Sequence, residues 1–176
     1  MSEEKILLEA EEIDRALRRM ANEILEKNKG AEKLYIVGLP NGGAVPSQIM
    51  HNYLQQFADK SDIPYALLDT TPYRDDSHVS VAPLKEENIV KNVHDTNVVI
   101  FDDVLYTGRT VRAAMNALVD YGRPSLIQLA VLVDRGHREF PIRPDYVGKN
   151  IPTSKSEEVK LITTDSNIEK VVLYKK

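Results

Sequence analysis

The stretch VVIFDDVLYTGRT, Val98 to Thr110, decides the fold. Val98 to Phe101 is a short apolar run of β-branched and aromatic residues, the pattern of a buried strand. In an open parallel sheet, ligands bind beyond the carboxyl ends of the strands, and this strand delivers Asp102 and Asp103 to that edge. Two adjacent carboxylates cannot both be buried in an apolar core without large desolvation costs, so at least one is expected to face ligand or solvent. Thr107-Gly108-Arg109-Thr110 then leads into a helix. Backbone N–H groups, two threonine hydroxyls and the positive helix end thus converge on one spot, an anion cradle, with Gly108 admitting close approach of the backbone. Carboxylates suit vicinal ribose hydroxyls and the cradle suits a 5'-phosphate, so the spacing describes a phosphorylated ribose.

Outward from this segment, Thr110 to Tyr121 reads as a helix closed by Gly122, and Leu126 to Val133 as the next strand. Upstream, Leu34 to Val37 is a strand, Val45 to Phe57 a helix and Tyr65 to Leu68 a further strand. Apolar residues from Ile13 to Leu25 recur at three-and-four spacing and stop at Asn28-Lys29-Gly30, an amphipathic helix with its terminator. The alternation predicts an α/β fold, a mostly parallel sheet flanked by helices. Thr70 to Asn97 loses periodicity and reads as a long mobile excursion, while Val159 to Ile162 and Val171 to Tyr174 read as short strands near a sheet edge.

The 176 residues suit one domain spanning 1–176. With 42% hydrophobic and 28% charged residues and a net charge of -4, the composition is that of a globular protein rather than a disordered or membrane one. Its mild acidity argues against indiscriminate nucleic-acid coating but leaves room for a local basic face. The absence of cysteine excludes disulfides, thiolate metal sites and a cysteine nucleophile. His51, His78, His94 and His137 lack pairwise metal spacing. The acidic start and the absence of any run of about 18–20 apolar residues predict a cytoplasmic chain with no membrane partner. Neither GxxxxGK[ST] nor GxGxxG occurs, which excludes the triphosphate loop and the dinucleotide fingerprint.

The thirteen residues VVIFDDVLYTGRT resemble the signature of type I phosphoribosyltransferases. DDVLYTGRTVRAAMNAL, LAVLVDRGHREFPIRPDYVGKNIPTSKSE and TPYRDD are similar to the PyrR family, pyrimidine-operon attenuators that also act as uracil phosphoribosyltransferases. This resemblance implies the type I fold with a small hood and a flexible loop. It also implies a substrate pair of 5-phosphoribosyl-1-pyrophosphate (PRPP) and uracil, with UMP or UTP as co-regulator. Pyrimidine-operon leader mRNA is the implied macromolecular partner, and a homodimer or homotetramer the implied assembly. The ligand segment comprises Asp102, Asp103, Val104, Leu105, Tyr106, Thr107, Gly108, Arg109 and Thr110, with Pro40 and Asn41 from the loop after the first parallel strand. Catalysis falls to Asp102, Asp103 and Arg74, the last on a loop that closes over the reacting centre. Magnesium arrives on the pyrophosphate rather than in a protein metal site. Asp134-Arg135 and Val159 are the expected base contacts. Arg18, Arg19, Lys27, His137, Arg138, Arg143 and Lys149 are the expected RNA contacts.

The chain departs from the family in several places. Where the family has a Lys-Thr-Arg-Gly run binding pyrophosphate, this chain has Pro40-Asn41-Gly42-Gly43, so anion contacts there lack cationic assistance and turnover is expected to be weak. Pro72 replaces a usual leucine, Arg18 a usual threonine and Asn22 a usual histidine. Two further readings stay open: a nucleotide-sensing RNA-binding regulator without turnover, and a salvage transferase for another base without RNA affinity.

Overall fold

The computed structural model describes residues 3–40, 42–59, 62–75 and 89–175. Five strands, β2 Leu34–Gly38, β3 Tyr65–Leu67, β4 Asn97–Leu105, β5 Leu126–Asp134 and β6 Tyr146–Asn150, form a wholly parallel sheet in the order β3-β2-β4-β5-β6. A second, antiparallel sheet joins β1 Glu4–Glu9, β8 Ile168–Lys175 and β7 Glu157–Thr163 in the order β1-β8-β7. It is the hood. Helices α1 Ala10–Lys27 and α2 Ala44–Phe57 lie on one face of the parallel sheet and α3 Arg109–Leu118 on the other.

Strand alternation builds this sandwich. In β2, Leu34 and Ile36 join Ile13, Leu17, Met20, Met50 and Leu54 of α1 and α2, whereas Tyr35 and Val37 join Val111, Ala114 and Leu118 of α3. In β4, Val99 and Phe101 belong to the first cluster, Val98 and Ile100 to the second. The first cluster also contains Leu8, Val159, Val171 and Leu173, so the hood shares the core of the main sheet.

Helix α1 begins with a capping box: the Glu9 backbone N–H donates to the Glu12 carboxylate at 2.9 Å, while the Glu9 side chain accepts from the backbone of the same turn. It ends at Asn28, whose amide donates to Ile24 O and to Gln128 Oε1, while Asn97 donates to Asn28 Oδ1 at 3.1 Å. Tyr146 closes this network through its hydroxyl on Gln128, and burial pushes its phenol up to about 12. The helix terminator is thereby tied to β4, β5 and β6 together.

Three features differ from the sequence reading. Strand β4 does not stop at Phe101 but runs through both aspartates to Leu105, its far end held by pairing of Val104 and Leu105 with Val133 and Asp134. Strands β1 and β6 are additional. Of the strands expected near a sheet edge, Val159 to Ile162 lies in the edge strand β7, but Val171 to Tyr174 lies in β8, the central strand of the hood. Within the 70–97 excursion, Thr71–Tyr73 is a 3-10 turn, Ile89 bridges Leu67, and Val90 and Val93 are buried. Asn41, Asp76 and His78 lie outside the described residues.

Candidate active site

Strand β4 and the first turn of α3 enclose a cleft of about 370 Å³ lined by Asp102, Val104 to Val111, Arg74 and Glu139. Asp102 is only 8% exposed, and its carboxylate accepts the Asp103 backbone N–H at 2.9 Å. The Asp103 carboxylate accepts Val104 N–H at 2.7 Å. Burial, joined by the neighbouring Asp103 charge, raises the Asp102 carboxyl well above its ordinary range, and burial likewise raises Asp103. Two carboxyls are therefore held desolvated side by side, a costly arrangement that hydroxyl donors from a ligand would relieve.

The cradle follows immediately. Gly108 caps α3 at φ 90°, a left-handed conformation natural to glycine, and the Thr107 hydroxyl accepts Arg109 N–H at 3.3 Å. Gly108 has no side chain with which to cap α3; Thr107 takes the Arg109 N–H, and Thr110 and Val111, next in the first turn, line the cleft as an anion site. Arg109 does not point into the cradle. Its guanidinium binds Glu139 at 2.8 Å and Asp75 at 3.0 Å, and sits over Phe140. The TGRT arginine thus ties the loop carrying Arg74 to the loop after β5.

Arg74 reaches the cleft, donating from Nη1 to Thr110 Oγ1 at 2.9 Å, and its charge opposes the rise of Asp102. Replacing it with alanine is expected to lower kcat for nucleotide formation about 100-fold while UMP affinity changes far less, because a leaving pyrophosphate needs the cation and a bound monophosphate does not. Steady-state kinetics beside a UMP titration check this, and an unchanged kcat contradicts it. On the other flank, a Cβ on Gly42 would overlap the Asp103 carboxylate, so the loop after β2 lies directly against the acidic pair. Pro40, in the same loop, is half-buried.

The segment after β5 clamps the cradle from outside. Arg135 N–H donates to Leu105 O, and Glu139 N–H to Thr107 O at 2.9 Å. Arg138 donates to Tyr106 O, Ile142 O and Asp134 Oδ2, the last at 2.5 Å. Arg135 is 6% exposed; its guanidinium donates to Thr153 Oγ1, Ser154 O and Glu157 O and stacks over Tyr106 at 4.1 Å. His137 bonds Thr153 O at 2.6 Å. A second cleft of about 430 Å³ opens here between Asp134–Arg138 and Asn150–Thr153. Val159 is buried in the hood, close to Arg135 through Glu157. Sequence reasoning missed Glu139 and Thr153 as site supports, neither of which belongs to a pattern distinguishable from a surface turn.

A model of the phosphoribosyl transferase domain matches residues 4–165. A bifunctional protein PyrR from Deinococcus radiodurans is 52% identical over 157 residues, 88% of this chain and 85% of the relative. Another from Oceanobacillus iheyensis is 46% identical across the whole of both chains. The chain belongs to the PyrR family. Solved structures agree on the fold: a hypoxanthine phosphoribosyl transferase from Trypanosoma cruzi superposes with TM-score 0.69 at 21% identity, covering 98% of this chain and 91% of that one. A hypoxanthine-guanine phosphoribosyltransferase from Bacillus anthracis superposes at 0.66 with 18% identity, covering 85% and 84%.

For a PyrR chain, the cleft's donor set is suited to a magnesium ion that arrives with its substrate. Among the described residues no three carboxylates or imidazoles converge; Asp102 lines the cleft, with Asp103 next to it in the chain. A hard cation taking most of its oxygens from pyrophosphate and water fits this set.

The candidate RNA contacts of this PyrR chain divide in two. Arg19 spans from α1 to β6, donating to Val147 O and Gly148 O, and Lys27 pairs with Asp145 at 3.1 Å, so α1 and the β6 edge form one continuous surface. Arg18 on α1, Lys149 on β6 and Arg143 before β6 are exposed. Arg138 and His137 instead turn inward, their polar atoms engaged by the cradle and the 153 backbone. No helix among the described residues is long and apolar enough to cross a membrane.

Proposed function

We propose that the chain is a pyrimidine-responsive RNA-binding attenuator that also carries a uracil phosphoribosyltransferase site, converting uracil and PRPP to UMP and pyrophosphate. The observation that carries this is the buried Asp102, with half-buried Asp103 next to it, in the cleft that the α3 N-terminus also lines. The pair receives the ribose 2'- and 3'-hydroxyls. The 107–110 cradle receives the 5'-phosphate through backbone N–H groups and threonine hydroxyls. As the glycosidic bond to pyrophosphate lengthens, the anomeric carbon becomes cation-like, and the ring is stabilised by carboxylates already held beside it. Arg74 faces the departing charge. Asp102 and Asp103 would be the carboxylates to meet a magnesium ion brought by pyrophosphate, which would supply charge neutralisation of the leaving group. Uracil enters between Asp134-Arg135 and the hood, where Arg135 acts by fixing the 153–157 wall rather than through its own guanidinium donors.

One observation favours slow turnover. The loop after β2 is neutral and lies against Asp103 at Gly42, so no cation from that loop assists pyrophosphate. The site then holds UMP as readily as it makes it, which suits a sensor. RNA binds across α1 and the β6 edge through Arg18, Arg19, Lys27, Arg143 and Lys149, in a chain that assembles as a homodimer or homotetramer. The experiment has two arms: nucleotide formation from each nucleobase with PRPP and magnesium, and titration of pyrimidine-leader RNA with and without UMP at a fixed salt. UMP formation from uracil alone, with RNA affinity raised by UMP, is the expected result. Turnover with another base and no RNA affinity identifies a salvage enzyme instead.

A further inference from the structure

On the α1–α2 flank, away from the transferase cleft, a cationic and aromatic cluster has no part in the reaction. Tyr53 of α2 stacks on Phe57 with ring centroids 5.7 Å apart and planes 13° from parallel. The Arg18 guanidinium of α1 lies over the Tyr53 ring at 4.8 Å. Asp14 holds both partners, accepting Arg18 Nε at 2.9 Å and the Tyr53 hydroxyl. Arg18 is thus clamped by a carboxylate on one edge and a ring beneath, yet its side chain remains 53% exposed.

An exposed arginine normally keeps its rotamer freedom, and ordering it on binding costs side-chain entropy. Here that ordering is already done before any partner arrives. The clamped plane borders the ridge of α1 that carries Arg15, Arg19 and Asn22, and Arg19 continues this ridge to β6. Two nearby carboxylates are engaged: Asp14 by Arg18 and Tyr53, Glu23 by Arg19 at 2.6 Å. Unpaired bases in RNA are recognised by stacking on guanidinium and aromatic planes, with cations beside them for the phosphates.

We propose that Arg18, ordered by Tyr53 and Asp14, is a stacking platform for one unpaired base of a single-stranded RNA loop whose phosphates run along α1 toward β6. This deepens the RNA reading above and rests on it. The platform reads the flat face of a base, so it contributes affinity with little sequence preference and leaves base-edge readout to neighbours such as Asn22.

The test places 2-aminopurine singly at unpaired positions of a pyrimidine-leader hairpin and follows its fluorescence as the full chain binds. At one position the probe is expected to be quenched on binding. Arg18→Lys keeps the charge and removes the plane; Tyr53→Leu keeps apolar packing between α1 and α2 and removes the ring. Each is expected to abolish that quench and weaken binding about 10-fold, with the dependence of log Kd on log salt unchanged, since every phosphate stays neutralised as before. Thermal melting monitors folding, and Arg18→Lys decides the matter should Tyr53→Leu unfold. Parent-like affinity and quenching in Arg18→Lys overturn the platform while leaving RNA binding standing. A parent chain without affinity for the hairpin overturns both.

Discussion

Replacing Asp102 and Asp103 together with asparagine is expected to lower kcat/KM for nucleotide formation about 1000-fold and, at neutral pH, to raise the melting temperature of the ligand-free chain. The first effect follows from removing the carboxylates that face a developing positive charge in a desolvated cleft. The second follows from the cost of keeping them there. Burial raises both carboxyls above their unfolded values, most strongly at Asp102. The native state therefore binds protons more tightly than the unfolded chain, and stability falls as pH rises from the unfolded carboxylate pKa, about 3.9, through the raised native values. Asparagine keeps the shape and removes the charge. The gain in melting temperature is accordingly expected at pH 7 and expected to shrink as pH approaches about 4. Paired melting curves at the two pH values check it; a variant less stable than the parent at both contradicts the claim that the pair is held at a cost to the fold.

Reversing charge at Arg143 and Lys149 is expected to weaken leader-RNA binding about 10- to 100-fold near 0.1 M salt. It is also expected to flatten the slope of log Kd against log salt by about 0.7–0.9 for each phosphate that the variant no longer neutralises. These two residues are chosen because both are exposed, whereas Arg138 holds the Tyr106 and Ile142 carbonyls and Arg19 bridges α1 to β6. A substitution at either of the latter removes charge and structure together. Salt titrations of parent and double variant give the measurement. Equal slopes would remove this edge from the RNA surface.

The parts of the fold legible in the sequence are those where one residue pattern has one physical outcome. Ile13, Leu17, Met20 and Ile24 recur at helical spacing because they fill one face of the core, and α1 is where that spacing places it. β1 and β6 were not legible for the opposite reason. Only Leu8 in β1 and Tyr146 in β6 are buried, and the alternation that marks a half-buried strand is absent from EKILLE and YVGKN. β1 pairs with β8 at the other end of the chain, and β6 with β5 across an irregular connection that no local pattern marks.

The candidate cleft was legible in the contiguous run that contributes most of its lining and obscure in its supports. Asp102 to Thr110 form one contiguous run, so local chemistry sufficed. The directions of Arg109, Arg135 and Arg138 depend on Glu139, Thr153 and Tyr106, which no local pattern connects to them. A count of positive charge between Arg135 and Lys155 therefore overstated the outward basic face, since two of its arginines turn inward. Gly42 is a related case. As sequence it signals only a missing cation, while in the fold it marks the point where the loop after β2 meets Asp103.

Whether the acidic pair and the TGRT cradle form one phosphoribosyl site is tested most directly by calorimetric titration of the full chain with UMP. The prediction is saturable binding at one site per chain, abolished by Asp102→Asn with Asp103→Asn. Absence of binding by the parent, or undiminished binding by the double variant, would contradict it.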